Sequence, residues 1–166
     1  MVAKSLTLRG VNGRAELPPL LVDATGLGAP VDLVLEKVSL SRSSLLEVTD
    51  QGVVDVAFLQ MGGTLTTHDV TVVSDSALGM VLMETDGLLE GLVATDWSQG
   101  TPLVIGDAPT GVTVKASEFR RNRASSIYAA GSPLQVIGCT FADNQADAGA
   151  DLYLYASDTQ VRSSGF

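Results

Sequence analysis

Short stretches in which apolar and polar residues alternate recur along the chain, separated by glycine, proline, aspartate or serine. Typical stretches are VDLVLEKVSL, TLTTHDVTVV, GVTVKASEF and LQVIGCTF. A period of two indicates β-strands, because successive side chains of a strand point to opposite faces. No long window has the i, i+3, i+4, i+7 apolar spacing of an amphipathic helix. The pattern therefore predicts an all-β protein.

The phrase F-x-x-N occurs at 119–122 and again at 141–144, so one short motif returns after 22 residues. With the two phenylalanines as an anchor, large apolar residues fit equivalent positions at spacings of 32, 25, 22, 22 and 25 residues. These anchors are Leu40, Val72, Trp97, Phe119, Phe141 and Phe166. A repeat of this period predicts a solenoid, in which each coil stacks on the preceding one.

Three further columns precede the anchors and are expected to face the core. The residues five positions earlier are mainly apolar: Leu35, Thr67, Leu92, Val114, Val136 and Val161. Those seven positions earlier are mainly apolar, with Glu90 as a clear misfit: Leu33, Leu65, Glu90, Val112, Leu134 and Thr159. Those two positions earlier are mostly small: Val38, Val70, Thr95, Ser117, Cys139 and Ser164. Small residues between these columns predict a bend in the later coils: Ala94, Ala116, Gly138 and Ser163.

Turn-forming residues stand three positions after the anchors and predict a corner: Ser43, Asp75, Gly100, Asn122 and Asn144. A third strand follows each corner: LLEV (45–48), MVLM (80–83), PLVI (102–105), SIYA (126–129) and DLYL (151–154). This order predicts a right-handed parallel β-helix of about six coils with 22–25 residues per coil. An antiparallel sandwich or barrel is the alternative, but it does not require equivalent columns.

We expect residues 1–166 to form a single β-helix domain with a weakly defined first coil at 1–30. Leu6 and Leu8 fit the columns there, whereas ELPPLLVDATGLGAP is expected to be a proline-broken connection. Phe166 falls in the anchor column in the middle of a coil. Because open strand edges invite pairing, we expect either a fragment of a longer chain or a subunit that self-associates through its open ends.

Two coils resemble a known group of repeats. FRRN (119–122) and FADN (141–144), each followed by a small-residue segment, are similar to the F-x-x-N and G-G-A-[ILV] repeats of bacterial polymorphic outer-membrane proteins and related pectin-lyase-like surface β-helices. The likeness to β-helices in general covers about Leu33 to Phe166, and the sharper motif covers two coils without a strict G-G-A-[ILV]. The resemblance implies a secreted or surface-displayed, often adhesive passenger, and it assigns no binding residue.

The amino-acid composition limits the classes of partner that the chain is expected to bind. Hydrophobic residues make up 45% and charged residues 17%, which favours a folded chain over a disordered one. The net charge of −9 disfavours nucleic acid and anionic membranes as partners. No run approaches the roughly 20 apolar residues of a membrane helix, and MVAKSLTLRG lacks the apolar core of a signal peptide. An extracellular or cell-surface location therefore follows only from the resemblance.

Pectin-lyase-like folds include polysaccharide lyases and glycoside hydrolases, which place carboxylates or bases in one cleft. Candidate carboxylates are Asp69, Glu84, Asp86, Glu90 and Asp96. Paired-aspartate, G-H-G and R-x-K signatures are absent, and scattered carboxylates are typical of a solvated surface. The single histidine, His68, has Asp69 beside it as a possible orienting group, but its outward column with Glu36, Val93 and Lys115 favours a surface histidine.

The single cysteine, Cys139, excludes an internal disulfide, and its inward column predicts a buried, inert thiol. Asp143, Asp147 and Asp151 form an acidic turn that suits either calcium or simple solvation. Arg120, Arg121 and Arg123 form a basic spot for either an acidic glycan or solvent.

The long spacing between Leu40 and Val72 places an insertion at about 49–63. Three interpretations remain open for it: a recognition loop, a strand that lengthens a coil, or an error of register. Taken together, the sequence predicts a non-enzymatic structural or adhesive β-solenoid of a secreted or cell-surface protein. It assigns no catalytic, cofactor or metal residue, and it leaves a surface glycan or protein ligand as partner. A fragment of a polysaccharide lyase or glycoside hydrolase is the alternative.

Overall fold

The computed structural model describes residues 4–11, 13–26, 31–40, 45–49, 52–73, 78–146 and 151–166, and all regular structure within them is β. The first two coils are formed by β1 (Lys4–Arg9), β2 (Ala15–Leu17), β3 (Leu20–Asp23), β4 (Val31–Glu36), β5 (Val38–Leu40), β6 (Leu45–Thr49) and β7 (Gly52–Met61). The next two are formed by β8 (Thr64–His68), β9 (Thr71–Val72), β10 (Leu78–Met83), β11 (Asp86–Glu90), β12 (Val93–Thr95) and β13 (Thr101–Gly106). The last strands are β14 (Val112–Lys115), β15 (Glu118–Arg120), β16 (Ile127–Ala130), β17 (Leu134–Ile137), β18 (Thr140–Ala142), β19 (Leu152–Tyr155) and β20 (Thr159–Arg162).

Equivalent strands of successive coils pair side by side and run parallel, which confirms the predicted β-solenoid. Sheet A is ordered β1-β4-β8-β11-β14-β17-β20, sheet B β2-β5-β9-β12-β15-β18, and sheet C β3-β7-β10-β13-β16-β19. Sheet B holds six strands, so five full turns separate its first strand from its last. The first coil takes part in all three sheets, although ELPPLLVDATGLGAP was predicted to be a connection. Pro18 and Pro19 fall between β2 and β3, so they mark a corner and remove no strand hydrogen bond.

The insertion of the second coil is a β-hairpin. Strand β6 runs antiparallel to the first half of β7, with Leu45 opposite Val56, and the second half of β7 lies in sheet C between β3 and β10. The interpretation as a strand that lengthens a coil is therefore confirmed. Leu40 pairs with Val72 as predicted, but LLEV is not the third strand of this coil, because β7 takes that place.

One coil is displaced by three residues from its predicted register. Ala94, and not Trp97, pairs with Phe119 in sheet B. Trp97 instead occupies the corner assigned to Gly100, since its backbone N–H donates to Oδ1 of Asn122 at 3.2 Å. The bulky indole resembled a core anchor in the sequence, but its partner in the next coil is a corner asparagine.

The same displacement corrects the other columns of that coil. Gly87, Leu89 and Leu92 occupy the inward positions that were assigned to Glu90, Leu92 and Thr95. The misfit of a glutamate in an apolar column thereby disappears, because the Glu90 side chain belongs to the outward face of sheet A. Predicted corner residues Ser43 and Asp75 lie outside the described residues.

Stacked apolar columns fill the interior of the solenoid. The largest buried side chains include Phe58, Trp97 and Phe119, each fully shielded from solvent. The rings of Phe119 and Phe141 stack with centroids 5.1 Å apart, and those of Phe141 and Phe166 stack at 4.9 Å. The F-x-x-N phenylalanines therefore form a ladder along the core, as the repeat predicted.

One inward column carries a buried hydroxyl group. The Thr67 side chain lies between Leu35 and Leu89 and is fully buried, and its Oγ1 has no hydrogen-bond partner among the residues that the structure describes. A buried hydroxyl without a partner costs about 1–3 kcal/mol. We expect Thr67→Val to raise the free energy of unfolding by about 1–2 kcal/mol in urea titrations. Thr66→Val, on the outward face of the same strand, is the matched control, and equal stabilisation by both changes would contradict this explanation.

Each coil turns at backbone positions in the left-handed region. The residues after sheet A are Lys37, Asp69, Gly91, Ala116, Gly138 and Ser163; those after sheet B are Asp96, Arg121 and Asp143; those after sheet C are Gly62, Glu84, Asp107, Gly131 and Ala156. The predicted bend is confirmed at Ala116, Gly138 and Ser163, whereas Gly91 replaces Ala94 there. Most of these residues have a Cβ, so they adopt the left-handed conformation at some steric cost.

Side chains that follow these residues tie each coil to the preceding one. Ser117 Oγ accepts the N–H of Leu92 at 3.0 Å and donates to the carbonyl of Lys115 at 2.9 Å. Ser164 Oγ accepts the N–H of Cys139 at 3.1 Å in the same way. At the next corner, Asn144 Oδ1 accepts the N–H of Asn122 at 2.9 Å, which confirms the predicted role of both asparagines. Corners are thus pinned by hydrogen bonds parallel to the solenoid axis.

Candidate functional site

A column of charged side chains crosses the outward face of sheet A. Pairing aligns Arg9, Glu36, His68, Glu90 and Lys115 on five neighbouring strands. Arg9 forms an ion pair with Glu36, and Lys115 Nζ lies 2.9 Å from Glu90 Oε1. The hydrogen bond from Lys115 lowers the pKa of the Glu90 carboxyl, and that from Arg9 lowers the pKa of Glu36. These charges compensate one another along the column.

His68 contacts Glu90 and not Asp69. Its Nδ1 lies 3.3 Å from Glu90 Oε2, while Asp69 occupies the left-handed bend that follows. The predicted neighbour Val93 is not in this column, because the three-residue displacement brings Glu90 there. A shallow cleft of about 340 Å³ is lined by Glu36, Lys37, His68, Asp69, Glu90 and Gly91. The side chain of His68 is 41% exposed, in agreement with the predicted surface histidine.

The five candidate carboxylates are distributed over different corners. Asp69 and Glu90 line the cleft beside His68. Asp86 Oδ1 accepts the N–H groups of Thr110 and Gly111 at 2.7 and 2.8 Å, a role in holding the chain before β14. Glu84 and Asp96 occupy the left-handed positions after sheets C and B. The coil geometry therefore separates most of the carboxylates that an active-site interpretation would require together.

Two of the three predicted basic residues are paired with acids. Arg120 forms an ion pair with Glu118, and Arg121 makes a bidentate contact with Asp96, with distances of 2.6 Å from Nε to Oδ1 and 2.8 Å from Nη2 to Oδ2. Arg123 has no ion pair in the described part of the chain. A cleft of about 610 Å³, which we call the corner cleft, is lined by Asp96, Trp97, Ser98, Arg121, Asn122, Arg123, Asp143 and Gln145. Arg123 is the arginine best placed to meet an anionic group there.

The Asp96–Arg121 contact predicts a pH dependence. The Arg121 hydrogen bond lowers the pKa of the Asp96 carboxyl below its ordinary value of 3.8. A lowered pKa in the folded state stabilises the protein above that ordinary value, and the stabilisation disappears as the pH falls through the folded-state pKa. We therefore expect Arg121→Ala to lower the thermal midpoint at neutral pH, and the difference from wild type to shrink as the pH falls below 3.8 and the Asp96 carboxylate becomes protonated.

Circular dichroism melts across this pH range measure the difference. Arg123→Ala removes a charge from the same cleft without breaking an ion pair in the described part of the chain, so its effect should stay small. A deficit of Arg121→Ala that persists in acid would show that the arginine stabilises the coil by packing and not through the carboxylate.

The acidic turn is only partly within the described residues, since Asp147 lies outside them. Asp143 occupies a left-handed position and its charge acts on Arg121, while Asp151 Oδ1 accepts a hydrogen bond from Asn144 Nδ2 at 2.7 Å. No group of three or more histidine, cysteine or acidic side chains with metal-site geometry occurs within the described ranges. The calcium interpretation gains no support from the two described aspartates.

Cys139 is buried, as predicted. Its Sγ lies 3.4 Å from the carbonyl oxygen of Val114 and 3.6 Å from that of Ile137. Burial raises the pKa of the thiol. The thiol therefore occupies the place that Ser117 and Ser164 hold in the neighbouring coils.

Both ends of the solenoid expose residues from columns that are buried elsewhere. The C-terminal face is the outer edge of the last coil, formed by Leu152, Tyr153, Leu154, Tyr155, Val161 and Phe166, with Phe166 65% exposed. The N-terminal face is the outer edge of the first coil, formed by Leu6, Leu8, Leu17, Leu20, Leu21 and Val22, with Leu21 48% exposed. Of these residues, the sequence pointed only to Phe166 as part of an open end. The full faces could have been found by following each column to its last member.

A second aromatic ladder reaches the C-terminal face from outside the core. The rings of Tyr128 and Tyr153 stack with centroids 5.3 Å apart on the outward side of sheet C. Because the rings stack along the solenoid axis, the free ring faces of Tyr153 and Phe166 point in the direction in which a further coil would stack.

Comparison with known proteins does not assign this chain to a family. Within the described ranges, no helix has the length and apolar character needed to cross a membrane. A scan against models of protein families, a search of curated proteins and a search of solved structures found no match for this chain.

Proposed function

We propose that this chain is a non-enzymatic β-solenoid that serves as a structural or adhesive element of a secreted or cell-surface protein. In this proposal it joins other β-coils through its terminal faces. The observation that carries the proposal is the exposure of the core columns at both faces, where Leu6, Val161 and Phe166 are 50%, 42% and 65% exposed. The same columns are buried in the inner coils at Leu33, Val136 and Phe119.

Physical chemistry favours docking at such faces. Each face presents the edge strands of its sheets, together with apolar side chains whose burial stabilises a complex. A further coil would satisfy both requirements at once, since it supplies the next strand of each sheet and the next member of each column. Ion pairs join some of the charges on the sides of the solenoid, as in Arg9–Glu36 and Lys115–Glu90.

A surface location rests on the resemblance of the F-x-x-N coils to surface-displayed β-helices. The adhesive part of the proposal rests on the corner cleft, where Arg123 offers a guanidinium to a carboxylated or sulfated glycan. The alternative of a polysaccharide lyase or glycoside hydrolase requires catalytic groups in one cleft. Asp69 and Glu90 line the cleft beside His68, whereas Glu84 and Asp96 occupy bends after sheets C and B.

Sedimentation velocity over an about 100-fold concentration range tests the joining of coils. We expect the wild type to assemble as concentration rises and Leu21→Lys/Tyr153→Lys, which charges both faces, to remain monomeric. Val73→Lys is the matched control, because Val73 is an exposed apolar residue (41%) outside both terminal faces. A wild type that is monomeric throughout would overturn this part of the proposal.

A glycan array combined with an assay of glycan cleavage tests whether the corner cleft binds acidic glycans and whether the protein cleaves them. Retention of acidic glycans that Arg123→Ala abolishes would support the adhesive role. Release of unsaturated or reducing sugar ends by the wild type would replace the proposal with the enzymatic alternative.

A further inference from the structure

We infer that the corner cleft binds a glycan that carries a single anionic group between uncharged sugars, and that Arg123 holds that group. This inference rests on the proposed function and narrows its ligand from acidic glycans in general to those of low charge density. Three consecutive coils arrange their exposed side chains at this corner in two columns that differ in charge.

The first column has no positive charge left for a ligand. Asp96, Arg121 and Asp143 follow equivalent strands of sheet B and share the left-handed backbone conformation. Arg121 makes a bidentate contact with Asp96, and the charge of Asp143 acts on the same guanidinium. Two carboxylates and one guanidinium leave an excess of one negative charge, which repels any further anion that enters the cleft.

The second column holds the guanidinium that remains available. Ser98, Arg123 and Gln145 stand two residues further along the same coils, and all three are exposed. The N–H of Arg123 donates to the carbonyl oxygen of Trp97 at 2.7 Å. One coil later, the N–H of Gln145 donates to the carbonyl oxygen of Asn122 at 2.8 Å, so the register of the coils continues through this column. Within the described ranges Arg123 forms no ion pair, and its neighbours in the column are uncharged.

Buried hydrogen bonds hold the backbone beneath both columns. Trp97 and Asn122 line the cleft and are fully buried, and Oδ1 of Asn122 accepts the N–H of Trp97 at 3.2 Å. Nδ2 of Asn122 lies 3.2 Å from the carbonyl oxygen of Ala94 and from Oγ of Ser126. Because this backbone is already fixed, binding requires little ordering of the protein. The shielded indole of Trp97 cannot stack on a sugar ring, so recognition depends on charge and hydrogen bonds.

This arrangement selects a ligand by the spacing of its charges. The cleft volume of about 610 Å³ lies within the roughly 300–1,000 Å³ of pockets that hold small ligands. The planar fork of Arg123 matches a carboxylate or a sulfate bidentately. Ser98 and Gln145 stand one coil away on either side, about 4.8 Å along the axis, and their hydroxyl and amide groups suit the hydroxyl groups of uncharged sugars. An anion on every sugar would bring further negative charges beside Asp96 and Asp143.

A series of immobilised glycans with increasing charge density tests this selectivity. The probes are a neutral oligosaccharide, the same oligosaccharide with one internal carboxylated sugar or one internal sulfated sugar, and a polymer of the same backbone with an anion on every sugar. We expect the wild type to bind a singly charged probe at least about 10-fold more tightly than the neutral one, and more tightly than the polymer. The carboxylated and sulfated probes separate the two possible anions.

Three substitutions of exposed side chains separate the roles of the two columns. Arg123→Ala should weaken binding of the singly charged probe by about 10- to 100-fold, because it removes charge-assisted hydrogen bonds. Gln145→Ala should weaken it by about 2- to 10-fold. Asp143→Asn keeps a residue that tolerates left-handed backbone and should tighten binding of the polymer by about 2- to 5-fold at low salt. Arg120→Ala is the matched control, since it removes an arginine that does not line the cleft.

Binding is measured by surface plasmon resonance on variants whose circular dichroism matches that of the wild type. A polymer that binds as tightly as the singly charged probes would overturn the inference and leave the adhesive part of the proposed function intact. Equal losses for Arg120→Ala and Arg123→Ala would mean that the ligand is not held in this cleft. A wild type that binds no acidic probe would refute both the inference and the adhesive part of the proposed function.

Discussion

Replacing Gly63 with alanine is expected to lower the free energy of unfolding by about 3–5 kcal/mol. Gly63 has φ +80°, and a Cβ built there would lie 2.3 Å from the backbone oxygen of Val31 in the preceding coil. Neither atom belongs to a flexible side chain, so relief requires β4 and β8 to move apart. That movement would strain the pairing of sheet A at a central position. Urea unfolding followed by circular dichroism measures the loss.

The adjacent glycine is a control with almost the same backbone conformation. Gly62 has φ +75°, and its nearest contact for a Cβ would be the carbonyl carbon of Ala24 at 3.5 Å. Gly62→Ala should therefore show only the cost of a left-handed alanine, about 1–2 kcal/mol. If the two variants are equally unstable, backbone conformation and not the contact with Val31 limits this corner.

Asn122→Ala is expected to cost about 3–5 kcal/mol. The Asn122 side chain is fully buried and joins three groups, since Oδ1 accepts the N–H of Trp97 and Nδ2 lies 3.2 Å from both the carbonyl oxygen of Ala94 and Oγ of Ser126. Alanine would leave the N–H of Trp97 and the carbonyl of Ala94 buried without this partner. Thermal and urea denaturation both report the change.

Two further substitutions at equivalent or nearby positions serve as controls for the effect of Asn122→Ala on stability. Asn144→Ala removes the equivalent side chain one coil later, where burial is only partial, so a smaller loss is expected. Gln145→Ala removes an exposed side chain of the corner cleft and should change stability by less than about 0.5 kcal/mol. An Asn122→Ala protein as stable as Gln145→Ala would refute the role of asparagine at this corner.

The sequence predicted the repeat where neighbouring coils carry the same residue types. Phe119 and Phe141 pair and stack because like rings at equivalent positions are both the sequence signal and the packing unit. Trp97 was wrongly assigned to the anchor column, because its size and hydrophobicity suggested a core position. Its true place depends on which residue of the next coil it pairs with, and the sequence of one coil does not show that. Its buried site depends on Gly79, where a Cβ would lie 3.0 Å from Cη2 of the indole.

Contacts on the outward surface were harder to predict for the same reason. The meeting of His68, Glu90 and Lys115 depends on pairing between coils, so an error of three residues replaces Glu90 by Val93 and removes the contact. The terminal faces depend on which coil lacks a neighbour, and no single residue carries that information. The alternation of apolar and polar residues therefore predicted the strands. The contacts on the outward surface could be predicted only with the correct pairing register between coils.

The hairpin of β6 and β7 has a consequence for how such a chain can diversify. Leu40 and Val72 pair across 32 residues, whereas Val72 and Ala94 pair across 22, and both pairs keep the same column. Pairing between coils, and not the length of chain between them, holds the register. The corner after sheet B can therefore gain about ten residues while the coils on either side stay in place. New loops can evolve or be grafted at this corner, each coil acquiring its own surface without disturbing the next.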